Sequence, residues 1–138
     1  MTPDSSALVA VFAPWHPLHE QTLAALDGAH DLVAHAELEA YSVLTRLPAP
    51  FRVDPKLAAE HLRASYPGAR LVLPSTQRTR LLGQLARADV SGGRTYDALI
   101  AATAMHHGRR LVSCDSRAAP TYERFGASVE LLSRPTAR

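Results

Sequence analysis

The sequence predicts an α/β domain built on a mainly parallel sheet covered on both faces. Three observations carry this reading. Short apolar runs ("HDLVAH", "ARLVLP", "RRLVSCD", "SVELL") alternate with stretches of helical periodicity, the order that βα repeats impose. The runs are apolar enough to be buried on both sides, as strands of a parallel sheet are. A chain of 138 residues with 46% hydrophobic and 20% charged residues is long enough for one core and has ordinary globular composition.

Taken in order, Met1, Thr2 and Pro3 leave room only for a short first strand, and Pro3 withholds an N–H that a central strand would use. "SSALVAVF" reads as a helix with Ser5 or Ser6 available as its cap. "PWHPLHEQTLAALDG" places Pro17 near a first helical turn and Gly28 past the end. "HDLVAH" is the next strand, and "AELEAYSVLTRLPAP" sets Leu38, Tyr41, Leu44 and Leu47 at helical spacing until Pro48 stops it. In "VDPKLAAEHLRASYPG" Asp54 caps, Pro55 takes the first position and Pro67-Gly68 closes. "ARLVLP" is a strand and "STQRTRLLGQLARA" a helix capped by Ser75. Ser91-Gly92-Gly93 turns into the helix "RTYDALIAATAMHHG", ended by Gly108. "RRLVSCD", the short helix of "SRAAPTYERFG" and the strand "SVELL" follow, and 133–138 is expected to be a flexible tail after a domain spanning 1–132.

Composition narrows the function classes. The 15 basic residues against 13 acidic ones give a net charge of +2, and only Lys56 is lysine, a balance that permits a polyanionic partner without demanding one. Cys114 alone excludes an internal disulfide and a multi-cysteine zinc site. No run is long and apolar enough to span a bilayer and "MTPDSS" is not a signal peptide, so a cytoplasmic protein without membrane attachment is expected.

The acids pose the functional question. In an open parallel sheet, sites form outside the carboxyl ends of the strands. Asp4 follows the first strand, Asp115 follows "LVSC", and Asp97 stands at the start of the helix leading to that strand. Each also has a local explanation: Asp4 as a helix cap, Asp97 as an answer to the helix dipole, Asp115 as a turn residue, and Glu39 as a solvated helix residue.

With their neighbours, these acids carry a resemblance. "DSSALVA", "EAYSVLTRLP", "GGRTYDALIAATA" and "LVSCDSRAAPTYERFG" are similar, in kind and order, to motifs of the PIN-domain ribonucleases, and within them of the VapC toxins of toxin–antitoxin pairs. That resemblance implies a three-layer α/β/α sandwich around a five-stranded parallel sheet. It also implies that Asp4, Glu39, Asp97 and Asp115 are catalytic acids binding Mg²⁺ or Mn²⁺; the coordination habits of Mg²⁺ suggest Asp4 and Asp97 as direct ligands, Asp115 direct or through water, and Glu39 through water or as an orienter. Glu37 competes with Glu39, but the tyrosine-containing motif aligns with Glu39. The expected substrate is RNA, tRNA or rRNA, and the expected partners are a cognate VapB-like antitoxin and a second copy of the chain.

Several carboxylates brought together repel until a proton or cation relieves them, and a hard divalent ion with oxygen ligands does so. Metal-activated water then hydrolyses a phosphodiester. Arg46, Arg94 and Arg117 adjoin the acidic motifs and are candidate phosphate contacts. Ser6 and Ser113 are candidates for fixing a carboxylate, against capping and packing. His106-His107 answers a helix C-terminus, Cys114 packs, and Trp15, Tyr41 and Tyr96 pack by default rather than stack on bases. Two other readings stand beside the nuclease. One is a receiver-like Mg²⁺-binding regulatory domain, which would need a placed lysine and has only Lys56. The other is a catalytically silent PIN-like binding module.

Overall fold

The computed structural model describes residues 1–134; of the predicted tail 133–138, residues 135–138 lie outside the described residues. In chain order the elements are β1 (Thr2–Pro3), α1 (Ser5–Phe12), α2 (His19–Ala25), β2 (Leu32–Val33), α3 (Ala34–Arg46) and α4 (Pro55–Ser65). There follow β3 (Arg70–Leu71), α5 (Ser75–Arg87), α6 (Arg94–His106), β4 (Leu111–Ser113), α7 (Ala119–Arg124) and β5 (Val129–Leu131). Every predicted helix is present, and the strands are shorter than the apolar runs that foretold them. Val72, for example, lies beyond β3 and is exposed, its carbonyl accepting from His107 Nε2 at 2.8 Å.

Helix starts follow local chemistry, with two corrections. Asp54 accepts from the N–H groups of Lys56 and Leu57 while Pro55 opens α4, as expected. The cap of α1 is Asp4, the local explanation offered for that acid, rather than Ser5 or Ser6: its Oδ1 accepts from the Ala7 N–H at 2.9 Å. Ser75 does not cap α5, because Pro74, at φ −58° and ψ 153°, makes the entry turn one residue earlier. Gly28 and Gly108, at φ +79° and +65°, supply the left-handed residues after α2 and α6.

All strand pairs are parallel. β1 pairs with β4 and β4 with β5, while β2 pairs with β3, and β1 lies against β2. Among the described residues no backbone ladder crosses from β1 to β2, and Pro3 gives the reason. The N–H groups of Thr2 and Asp4 donate to the carbonyls of Arg110 and Val112 at 2.8 and 3.0 Å, so both point toward β4. The residue between them faces β2 and has no N–H to give. Thr2 Oγ1 bridges the seam instead, donating to the carbonyl of Asp31 at 2.9 Å. The five-stranded parallel arrangement is thus kept, with a side-chain link at its centre.

Both faces are covered. Leu111 joins a core with Leu32, Ala36, Ala40, Ile100, Ala104 and Tyr122, from β2, α3, α6 and α7. Val112, one residue on and therefore on the opposite face, packs with Ala7, Val11 and Leu26 beneath α1 and α2. Fully buried side chains such as Ile100 and Leu44 each contribute about 1.5–3 kcal/mol. These two layers fix where the strand ends emerge.

The β2–β3 edge yields a first prediction. Gly68 donates its N–H to the His30 carbonyl at 3.0 Å, and a Cβ there would collide with the Asp31 carboxylate and lie 2.8 Å from the His30 oxygen. Asp31 is held by the Ala69 N–H and by Arg109, both at 2.8 Å, and cannot yield freely. Gly68→Ala is expected to lower stability by about 1–3 kcal/mol in thermal denaturation; an unchanged melting temperature would contradict this packing.

Candidate active site

Four segments deliver the predicted acids to one end of the sheet. Asp4 leaves β1 as the cap of α1 and is only 1% exposed. Its Oδ1 accepts from Ser6 Oγ at 2.6 Å and from the Ala7 N–H, and its Oδ2 accepts from the phenol of Tyr122 at 2.8 Å. Burial raises its pKa, opposed by the hydroxyls of Ser113 and Ser6, the Ala7 N–H and Tyr122. Ser6 Oγ also accepts from the Cys114 N–H at 2.9 Å, which ties the start of α1 to the end of β4.

Asp115 follows β4. Its N–H donates to Ser113 Oγ at 3.0 Å and its Oδ1 accepts from the Arg117 N–H at 2.9 Å, so the turn explanation of this residue is real. It is not the whole account, because the Asp115 charge also reaches Asp97. Glu39, on α3, is likewise placed by neighbours: Oε1 accepts from Ser5 Oγ at 2.6 Å, and Oε2 meets His35 Nε2 at 3.1 Å.

Asp97 decides between local and collective explanations. It lies in the first turn of α6, where a carboxylate that only answered the helix dipole would be stabilised in its charged form. Its pKa is instead raised to about 6, by burial first and then by the charges of Glu39, Asp115 and Asp4, against the lowering effect of Arg94. Burial and the charges of three other acids act together on Asp97, so the four acids share one electrostatic neighbourhood.

The remaining candidates separate cleanly. Glu37 is engaged elsewhere by Arg70, Oε2 to Nη2 at 2.6 Å, which leaves Glu39 as the acid of that helix at the site. Ser6 and Ser113 both hydrogen-bond within the acidic neighbourhood. Arg94 and Arg117 are exposed beside Asp97 and Asp115, whereas Arg46 ends α3 seven residues beyond Glu39, on the order of 10 Å along the helix. His107 bonds the Val72 carbonyl, Trp15 lies against Phe51, and Tyr41 packs against the core. Cys114 is only partly buried, with Sγ 3.4 Å from Thr22 Oγ1, and burial raises its pKa.

Two residues escaped the sequence reading. Tyr122, 1% exposed, holds Asp4 from α7; it stood inside the quoted "TYERF" run, but its reach across the sheet had no local signature. His35 pairs with Glu39 and stacks on the half-exposed ring of Tyr96, with centroids 4.9 Å apart and planes 8° from parallel. The i, i+4 spacing of His35 and Glu39 was the available signal.

The donor set is made of carboxylate oxygens, the chemistry that suits a hard divalent cation rather than a soft one. As the side chains stand, no three His, Cys, Asp or Glu residues among those described are grouped closely enough to hold an ion. Asp4 and Glu39 are turned to hydroxyl, amide and imidazole partners. The fit to a cation therefore rests on donor chemistry and on the shared field at Asp97.

Comparison with known proteins bears on the whole chain. The PIN domain family model matches residues 1–123. Ribonuclease VapC40 of Mycobacterium tuberculosis, in strains CDC 1551 / Oshkosh and H37Rv, is 44% identical over 133 residues, covering 96% of this chain and 99% of that protein. Ribonuclease VapC27 of the H37Rv strain is 38% identical over 129 residues, 91% of this chain and 92% of that protein.

The field at Asp97 has a measurable sign. Its folded pKa of about 6 lies above the ordinary 3.8, so within that window the folded chain binds more protons than the unfolded one. The contribution of Asp97 to stability then falls as pH rises. Metal-free Asp97→Asn is expected to exceed the wild type at pH 7 by on the order of 1 kcal/mol once partial exposure is discounted. The difference should fade toward pH 4 in urea unfolding; a difference that grows on acidification would refute the shared field.

Proposed function

The chain belongs to the PIN-domain family, and from this premise we propose that it is a metal-dependent endoribonuclease of the VapC kind, a toxin held in check by a cognate VapB-like antitoxin. The observation that carries the proposal is the placement of acids from four segments at the carboxyl end of a parallel sheet, where such folds do their chemistry; burial first, and then the charges of Glu39, Asp115 and Asp4, raise the pKa of Asp97 there. The similarity to ribonucleases VapC40 and VapC27 over nearly their full lengths supports RNA as the substrate.

In this reading Asp97, Asp115 and Asp4 hold Mg²⁺ or Mn²⁺, with Glu39 beside them. When bound, the ion lowers the pKa of water and neutralises charge on the scissile phosphate. The protein's own groups do the rest. Ser6 and Tyr122 fix the Asp4 carboxylate, Ser113 and the Arg117 N–H fix the turn bearing Asp115, and Ser5 with His35 orients Glu39. Asp115 or Glu39 is the acid that aligns the attacking water and accepts its proton.

The receiver-like reading loses its support, since Lys56 lies exposed on α4 and the family is PIN. No helix among the described residues is long and apolar enough to cross a membrane; action on RNA in the cytoplasm is part of this proposal.

RNA cleavage by the purified chain is expected to require Mg²⁺ or Mn²⁺ and to stop in EDTA. Asp97→Asn should reduce it by about 10²–10⁴-fold and relieve growth inhibition on expression, with the far-ultraviolet circular dichroism unchanged. Undiminished cleavage by that variant would remove Asp97, and with it the assigned centre.

A further inference from the structure

Beside the acids lies a small concavity of about 160 Å³ lined by Val90, Arg94, Arg117, Pro120, Thr121 and Arg124. Three arginines line it from three separate segments: the start of α6, the β4–α7 loop and the end of α7. Among the described residues no carboxylate lines it. The arginine ion pairs among the described residues join Arg70 to Glu37 and Arg109 to Asp31, and none involves these three.

Gathering three cations is unfavourable without an anion between them. Arg94 is also the first residue of α6, the end of a helix least suited to positive charge. The pocket is smaller than the roughly 300–1,000 Å³ that encloses a whole ligand, so it suits a single tetrahedral anion, and planar guanidinium forks match phosphate oxygens in pairs. Its place along the chain is informative too. Arg94 is three residues from Asp97, whose carboxyl it influences, and the Arg117 N–H bonds the Asp115 carboxylate. Whatever polyanion is cut at the acids passes next to these arginines.

We propose that Arg94, Arg117 and Arg124 form a subsite for the backbone phosphate neighbouring the scissile one, fixing the direction in which a single-stranded RNA crosses the acids. This rests on the RNA-cleaving reading and adds Arg124, which no motif singled out, while leaving Arg46 outside the subsite. Phosphate contacts of this kind position a strand and carry no base preference.

Arg124→Gln tests the subsite, because Arg124 is exposed and takes no part in holding the acids; Arg63→Gln, which removes the same charge from an exposed position on α4, is the control. Binding of a fluorescent ten-nucleotide oligouridylate is measured in EDTA over a range of salt concentrations, and cleavage of total RNA is measured with Mn²⁺. Arg124→Gln is expected to flatten the salt slope by about 0.7, the release expected for one phosphate contact on a single strand. It should also raise KM about tenfold with kcat unchanged, while Arg63→Gln follows the wild type. If wild-type RNA cleavage is sound but the two variants behave alike, the subsite is overturned and the nuclease reading survives. If the wild type neither binds the oligonucleotide nor cleaves RNA, both fall. Weakened antitoxin binding with RNA parameters intact would also overturn the assignment, giving the pocket to a protein carboxylate.

Discussion

The structure depends on one buried carboxylate. Asp4 is almost fully enclosed, and an ionisable group in that position is costly unless it is hydrogen-bonded. Its hydrogen-bond partners come from its own helix through Ser6 and Ala7, and from α7 through Tyr122, while Ser6 accepts in turn from the residue after β4. Satisfying this acid therefore fixes the start of α1 against the end of β4 and anchors α7 across the same edge. The short β1 strand, two residues long, is compensated by side-chain bonds around the residue that follows it.

That arrangement explains why the other acids take up a strained electrostatic position. Asp115 sits two residues beyond Ser113, whose hydroxyl receives its N–H, and Asp97 enters from the first turn of a helix whose buried face includes Ala98, Ile100 and Ala101. Packing of α6 against the core delivers Asp97 to the strand ends whether or not its carboxylate welcomes the company. The raised pKa is the result. A centre of this kind is indifferent to base sequence, so any selectivity among RNAs must come from the surrounding surface, where arginines flank the acids.

Much of this was legible in the sequence, for identifiable reasons. Asp54-Pro55 and the turn glycines around α6 use local rules that survive folding here, whereas the local signal at Ser75 gave way to Pro74. The four acids were singled out as a set by the motifs that carry the family resemblance; position beside a strand end or helix start marked Asp4, Asp97 and Asp115 but left each with a local explanation, and Glu39 had no such mark. Pro3 announced a weak first strand, and the seam between β1 and β2 is its direct consequence. Partners across the fold were not legible. Glu37 and Glu39 were separated by motif alignment alone until Arg70, thirty-odd residues away, was seen to engage Glu37. Tyr122 is 118 residues from Asp4, and no periodicity records such a bond. Strand lengths were overestimated because apolar runs continue into turns, where Leu73, for instance, is buried without belonging to a strand.

The central claim is that Asp4, Asp97, Asp115 and Glu39 constitute one divalent-ion centre. Anomalous scattering from crystals soaked in Mn²⁺, recorded above and below the manganese absorption edge, tests it most directly. The account predicts a manganese peak held by the carboxylates of Asp4, Asp97 and Asp115, with Glu39 beside it. Manganese bound only at other surface carboxylates, or no peak at concentrations that sustain RNA cleavage, would contradict it.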